Sequence, residues 1–388
     1  EWAEAHDGVA ELGGGRYLVR LAASAISPQF VGDYVALLED ARGKRGLLAA
    51  LDDARAAIAR GQDETGVIAA RVESALLGVE GGSGARPVSM MSATTTAMQA
   101  ALDAHNGIEL PCVPTGIAAL DSLVTGLFPG ELTLLGGRPS MGKTALAINI
   151  ALNAARAGRR VAFASLEMSP NDIAMRCISE AMASASHAVS YRDLRRGQWH
   201  DASTRHFGNA AKEVGELPMQ FLSREYADAG AMMAGAKRAS SLMGGLDLFV
   251  VDYVQLMRAS QANSRYEVIT EVSTALKHLA GSLNVPVLAL SQLSRQVEQR
   301  DDKRPQLADL RESGQLEQDA DVVMFAYRDE YYLERERPSE NHLDEMVMWQ
   351  EAMERARNKL EIIVAKQRNG AIGTAHVLCN VAFNRITD

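Results

Sequence analysis

The hydrophobic pattern of this chain changes character once. Over residues 1–80 the apolar positions are mostly Ala and Leu at three- and four-residue spacing, the period of helices that bury one face. Gly13-Gly14-Gly15 breaks an early helix, and 31–60 reads as a long helix or a helical hairpin. Gly81, Gly82, Ser83 and Gly84 give 78–87 the composition of a flexible linker. The spacing then predicts a short amphipathic helix over 95–105, with Met98, Ala101 and Leu102 on one side and Asn106-Gly107 to end it. From Ile108 onward short β-branched runs alternate with helical stretches: 131–136, 161–166, 246–251, 285–290, 322–327 and 361–365. That alternation predicts an α/β fold, a mainly parallel doubly wound sheet with helices on both faces. Three segments follow: a helical N-terminal fragment (1–80), a linker with a helix (81–107) and a large α/β domain (108–388). The highly charged stretch 334–358, helical after Asn341, reads as a surface insertion between the last strands.

Composition narrows this picture. With 388 residues, 47% hydrophobic and 23% charged, the chain can bury a large core. No apolar run approaches the roughly 20 residues needed to span a bilayer, so no membrane role is expected. The start, Glu1-Trp2-Ala3-Glu4, has neither a signal-peptide pattern nor an initiator Met, so a shortened chain is expected. Cys112, Cys177 and Cys379 are scattered, which argues against a zinc site or disulfide framework and fits a reducing cytoplasm. A formal charge of −9 excludes a generally basic nucleic-acid coat; any such contact must come from a local groove or loop.

Within the α/β segment, Gly137-Arg-Pro-Ser-Met-Gly-Lys-Thr144 reads G-x-x-x-x-G-K-T, between a predicted strand and a helix over 145–156. Glycines let successive N–H groups turn toward a triphosphate, and the following helix adds its N-terminus. Gly137, Arg138, Ser140, Gly142, Lys143 and Thr144 are the candidate nucleotide-binding residues. Lys143 would face the β- and γ-phosphates and the Thr144 hydroxyl would ligate Mg²⁺, making ATP and Mg²⁺ the expected cofactors. Leu246-Asp-Leu-Phe-Val-Val-Asp252 is an apolar strand ending in a carboxylate, about a hundred residues downstream. At the C-terminal edge of a parallel strand Asp252 would support the metal through its water shell.

Four further features admit a functional and a plain reading. Glu167, after a third strand, could polarise the attacking water, or it could be a favourable charge at a helix start before Pro170. Gln292 could touch a γ-phosphate, or simply cap a strand. Lys366 and Arg368 precede Asn369-Gly370 between two strand-like runs, which signals a hairpin with an Asn-Gly turn. They could act as fingers on a neighbour's phosphate or be ordinary solvated cations. Asp309-Leu-Arg-Glu-Ser-Gly314 could grip a phosphate backbone through Arg311 and exposed N–H groups, or be a flexible surface loop. It lacks the aromatics of a base-stacking platform.

Taken together, Arg138-Pro-Ser-Met-Gly-Lys-Thr144, Ser165-Leu-Glu-Met-Ser169, Val251-Asp-Tyr-Val-Gln-Leu256, Ala289-Leu-Ser-Gln-Leu-Ser294, Asp309–Gly314, Glu317-Gln-Asp-Ala-Asp321 and Lys366-Gln-Arg-Asn-Gly370 resemble the bacterial replicative DNA helicases of DnaB type. The order matches over about 108–388. Weaker similarity continues upstream at Glu11-Leu-Gly-Gly-Gly-Arg-Tyr-Leu18, and Glu330-Tyr-Tyr-Leu-Glu-Arg335 resembles alphaproteobacterial versions.

The resemblance implies a RecA-like motor in a ring of six copies, with ATP held between subunits, moving 5′ to 3′ on single-stranded DNA at a replication fork. In it Glu167 would activate water, Gln292 would sense the γ-phosphate, Lys366 and Arg368 would act in trans, and Arg311, Glu312 and Gly314 would line the pore. The helix at 95–105 would dock on a neighbour, and a primase and a helicase loader would be partners. Two departures stand out: the family's upstream helices are missing, and the last strand, 378–388, has Phe383-Asn-Arg-Ile386 where the family usually shows Phe-Thr-Arg-Phe. Separating strands takes about 1.4 kcal/mol per base-pair step, so sustained unwinding needs fuel, which the nucleotide site would supply. Two other readings remain beside it: a strand-exchange recombinase on the same core, and a nucleotide-gated loading protein that binds DNA without unwinding it.

Overall fold

In the computed structural model the described residues are 31–61, 88–106, 111–259, 264–339 and 341–388, with isolated positions 65, 68 and 72. The early glycine break, the whole 78–87 linker and Gly107 lie outside them. The chain divides into two compact units, Glu1–Ile108 and Glu109–Asp388.

In the first unit α1 (Val31–Arg60) is one continuous helix rather than a hairpin. The second helix, α2 (Met90–His105), begins five residues earlier than its amphipathic stretch suggests. Ser89 explains the early start: its hydroxyl accepts from the Ser92 N–H at 3.2 Å, an N-cap the apolar spacing could not reveal. Met90, Met91, Met98 and Leu102 are exposed on this helix.

The second unit opens with α3 (Ala118–Val124), then β1 (Leu132–Gly137), α4 (Lys143–Arg156) and β2 (Val161–Ser165). Helices α5 (Pro170–Met182), α6 (Tyr191–Arg196) and α7 (Asp201–Gly215) lead to β3 (Met219–Leu222). Then come α8 (Ala229–Met243), β4 (Leu248–Asp252), α9 (Arg265–Leu283) and β5 (Val287–Gln292). After α10 (Gly314–Asp319) and β6 (Val322–Tyr327) comes α11 (Asp329–Leu333), and the insertion supplies α12 (Leu343–Ala356). The unit closes with β7 (Lys359–Gln367), β8 (Gly373–Asn380) and β9 (Arg385–Thr387).

These strands form one nine-stranded sheet in the order β3-β2-β4-β5-β1-β6-β7-β8-β9. The pairs from β3 through β6 are parallel, and β7, β8 and β9 continue antiparallel. The central strands are buried on both faces and divide their side chains with period two. Leu248 and Val250 of β4, Phe163 of β2 and Met324 of β6 pack on one side with α3, α4 and α5. Phe249, Val251, Ala162 and Phe325 pack on the other with α8 and α9. Each large buried side chain contributes about 1.5–3 kcal/mol, so these two layers hold the strand ends in place.

Two details differ from the sequence expectation. The run 378–388 is not one strand: Val381–Phe383 forms a 3₁₀ turn, Asn384 adopts φ 53°, and pairing resumes at Arg385. Asn149 of α4 holds that break, donating to the Asn384 carbonyl at 2.6 Å and accepting from the Ile386 N–H at 3.0 Å. The β7–β8 hairpin is joined by 368–372, all exposed, rather than by a two-residue turn. Neither Asn369 nor Gly370 has the positive φ that an Asn-Gly type I′ turn requires.

Candidate functional site

The parallel strands β1, β2, β4 and β5 end on a common edge, and their register fixes what meets there. Ser165 pairs with Asp252, and Gly137 with Gln292. The loop leaving β1 turns through Gly142 at φ +87°, a conformation L side chains rarely adopt, directly into α4. Two residues earlier Ser140 also has a positive φ of 67°. Gly136 is required for a different reason: a Cβ there would lie 2.7 Å from the Phe325 ring, which is fully buried. The first turn of α4 has no side-chain cap, so its free N–H groups face outward as an anion site.

A cavity of about 790 Å³ opens at this edge, a size suited to a nucleotide. Arg138, Ser140, Gly142, Lys143, Thr144, Glu167 and Gln292 line it. Asp252 is buried behind Thr144. Its Oδ2 accepts from the Thr144 hydroxyl at 2.9 Å, while Oδ1 is buried without a hydrogen-bond partner. An orphaned carboxylate oxygen beside a threonine hydroxyl is what a hydrated Mg²⁺ would satisfy, and such an ion takes few protein ligands. No cluster of three or more His, Cys, Asp or Glu side chains suited to a metal occurs among the described residues.

Burial pushes the Lys143 ammonium below the ordinary lysine range, against the opposing attraction of Asp252 and Glu167. Burial likewise raises the Asp252 carboxyl, against the pull of Lys143 and the Thr144 hydrogen bond. The surrounding protein thus disfavours both charges, and a polyanion with a divalent cation would supply the missing counter-charges. Lys143 Nζ lies 4.8 Å over the Tyr253 ring.

Several supporting residues were invisible to motif reading. Arg224 donates to the Leu166 carbonyl at 2.6 Å and the Glu167 carbonyl at 2.8 Å, fixing the backbone that carries Glu167. Gln255 brackets Gln292, accepting from its N–H at 3.1 Å and donating to its carbonyl at 3.0 Å. Gln255 lies inside the Val251–Leu256 run, so only its role was hidden. Buried Arg328, following β6, donates to Glu330 at 2.6 Å and lines the cavity with Arg176. The start of the charged insertion also lines this cavity: Glu334 and Arg335 are exposed at its rim.

Other sequence candidates are engaged by protein partners or lie elsewhere. The Arg138 guanidinium donates to Glu298 at 2.8 Å and to the Leu293 carbonyl at 2.9 Å, so its charge is taken up by protein partners. Lys366 and Arg368 lie at the opposite end of the sheet, because β7 runs antiparallel to β6. There Lys366 donates to the Glu317 carbonyl at 2.5 Å, and Arg368 meets Asp321 at 3.1 Å and the Gln318 carbonyl at 2.9 Å. Gly314 begins α10 at the end of the 3₁₀ segment Leu307–Ser313. The side chains of Arg311 and Glu312 lie outside the described residues. No helix among the described residues is long and apolar enough to cross a membrane.

Comparison with known proteins bears on this geometry. The family described as DnaB-like helicase C terminal domain matches residues 112–388. Replicative DNA helicases DnaB from Rickettsia bellii and Geobacillus stearothermophilus are each 38% identical, over 291 and 289 residues, covering 71% and 72% of this chain. The Helicobacter pylori protein (strain 26695) is 35% identical over 300 residues, 72% of this chain. The chain spans 57–60% of the length of these relatives. Among solved structures, one described as an ATPase domain superposes with TM-score 0.67 at 32% identity, covering 78% of this chain and 99% of that one. A DnaB-like replicative helicase, described with its interactions with primase, gives TM-score 0.70 at 28% identity over 99% of this chain and 85% of that one.

Proposed function

Because this chain belongs to the DnaB-like helicase C-terminal domain family, we propose that it is the motor part of a replicative DNA helicase, an ATP hydrolase that moves along single-stranded DNA and separates duplex strands. Lys143 and the N–H groups at the start of α4 hold the phosphates. Thr144 and Asp252 would hold Mg²⁺, which would supply positive charge against the triphosphate. Glu167 takes a proton from the attacking water, and Gln292 contacts the γ-phosphate.

The observation that carries this reading is the separation of the two halves of the site. The phosphate loop, Glu167 and Asp252 share one edge of the sheet, while Lys366 and Arg368 occupy the other. Such a chain can complete a site only with another copy, by a head-to-tail interface that closes into a ring. We take the ring to be a homohexamer with Arg311, Glu312 and Gly314 lining its pore, translocating 5′ to 3′ on the strand it encloses. A cytoplasmic replication fork, with a primase and a helicase loader as partners, completes the proposal. The segments 1–80, 81–107 and 108–388 serve as collar fragment, linker and motor.

The test is a forked DNA duplex incubated with the protein, ATP and Mg²⁺, read by strand release. ATP-dependent release is expected, with hexamer mass in native mass spectrometry when an ATP analogue is present. ATP turnover with strand exchange but no release would refute the helicase reading, and absence of turnover with or without DNA would refute the motor.

A further inference from the structure

Arg138 sits inside the phosphate loop and lines the cavity, yet its guanidinium is engaged by protein partners. It is only 8% exposed, with Nε on Glu298 at 2.8 Å and Nη1 on the Leu293 carbonyl at 2.9 Å. Leu293 follows Gln292 directly, and its own N–H donates to the Gly137 carbonyl at 3.4 Å. The next residue, Ser294, donates its N–H to the Asp309 carbonyl at 3.2 Å. Asp309 opens the Asp309–Gly314 loop and is itself buried. Its carboxylate accepts from Arg300 at 2.7 Å and from the Gln306 N–H at 2.8 Å. Arg300 also donates to the Arg304 carbonyl at 2.9 Å, and Arg304 forms a two-pronged bridge to Glu361 of β7 at 2.7 and 2.8 Å.

One guanidinium therefore ties the phosphate loop to both ends of 293–298, the Ser294 N–H ties that segment to the backbone carbonyl of Asp309, and the Asp309 carboxylate ties the same loop to Arg300 just beyond the segment. Between them Val297 and Leu293 are buried in the core, so the segment has no slack. The planar fork holds its two acceptors through separate nitrogens in fixed directions, a rigidity that a lysine ammonium on its flexible stem would not give.

We propose that Arg138, Glu298 and Arg300 are positioning residues that transmit the state of the nucleotide site to the Asp309–Gly314 loop, and that Arg138 is not a phosphate ligand. The inference rests on the reading of that loop as the DNA-holding element. A displacement of the phosphate loop moves Leu293 and Glu298 together, and Ser294 carries it to the Asp309 carbonyl. Glu298 does not line the nucleotide cavity, and neither does Arg300, so both can be altered without touching the phosphates.

The experiment compares wild type, Glu298→Gln and Arg300→Gln for ATP turnover with and without oligo(dT), and for oligo(dT) affinity by fluorescence anisotropy. For both variants, turnover without DNA stays within about twofold of wild type, while the stimulation by DNA falls about fivefold or more. A merely structural role would lower both rates in parallel and leave their ratio intact. An unchanged ratio in both variants, or a parallel loss, overturns the proposal. If DNA fails to stimulate the wild-type protein, the DNA-loop reading itself is refuted, before any variant is considered, and the transmission falls with it.

Discussion

The position of Arg368 makes a quantitative claim about where it acts. Its backbone N–H donates to the Asp321 carbonyl, and the Asp321 N–H donates in turn to the carbonyl of Leu132, the first residue of β1. The phosphate loop begins after Gly137, five strand residues further along. At about 3.3 Å per residue this places its own loop ~17 Å away. An extended arginine side chain reaches roughly 7 Å, two residue lengths of extended chain. Arg368 therefore cannot serve its own subunit's γ-phosphate, and Arg368→Ala is expected to lower turnover by about 10³-fold or more while nucleotide binding persists. The decisive perturbation is a mixture of Arg368→Ala subunits with Lys143→Ala subunits, each inactive alone. Random assembly at equal amounts gives intact Lys143 in one half of subunits and intact Arg368 in the other, so about ½ × ½, or one quarter, of head-to-tail interfaces hold both. The coupled-enzyme ATPase assay should then recover about a quarter of wild-type turnover per interface. A mixture no more active than the average of the two pure variants would refute the in-trans reasoning.

Three further outcomes follow from the geometry. Lys143→Met should abolish hydrolysis and the nucleotide-induced rise in Tm, yet make the nucleotide-free protein more stable than wild type. Burial lowers the folded-state pKa of Lys143 below 10.5, so the unfolded chain binds more protons there and wild-type stability falls as pH drops from 10.5 toward the lowered value. The advantage of Met in thermal melts should therefore be full below the lowered pKa and shrink as pH rises toward 10.5; an advantage that grows with pH would contradict the sign. Arg224→Ala frees the backbone on which Glu167 is mounted, and steady-state kinetics should show kcat reduced about ten- to a hundredfold with KM for ATP little changed. A change confined to KM would place Arg224 in substrate binding instead. Asn149→Leu leaves the Asn384 carbonyl and the Ile386 N–H buried without partners at about 1–3 kcal/mol each, so urea denaturation should show a loss of about 2–6 kcal/mol. A loss below about 0.5 kcal/mol, the level of an ordinary surface change, would show that the break before β9 does not depend on that amide.

Much of the α/β unit was legible in the amino-acid order because its signals are local. Gly137, Gly142, Lys143 and Thr144 lie within one turn, and the conformations they need are set by their own backbones. Apolar runs such as 161–166 and 322–327 announce buried strands because a strand covered on both faces has no polar side to show. The carboxylate ending β4 was visible for the same reason, a charge where an apolar run stops.

What tertiary structure alone decided is which distant groups meet. Arg138 reads as a nucleotide-binding candidate in sequence, but which groups its tip meets was not legible: sheet packing put Glu298 and the Leu293 carbonyl there. Arg224 and Gln255 became supports for Glu167 and Gln292 only when β2, β4 and β5 were set side by side. The insertion carrying Glu334 and Arg335 could not be known to wall the nucleotide cavity until β6 delivered it to the edge where β1 also ends. The antiparallel turn of β7 sent Lys366 and Arg368 to the far edge of the sheet. Residue type and spacing determine which chemistry is available; strand order and direction determine which subunit receives it.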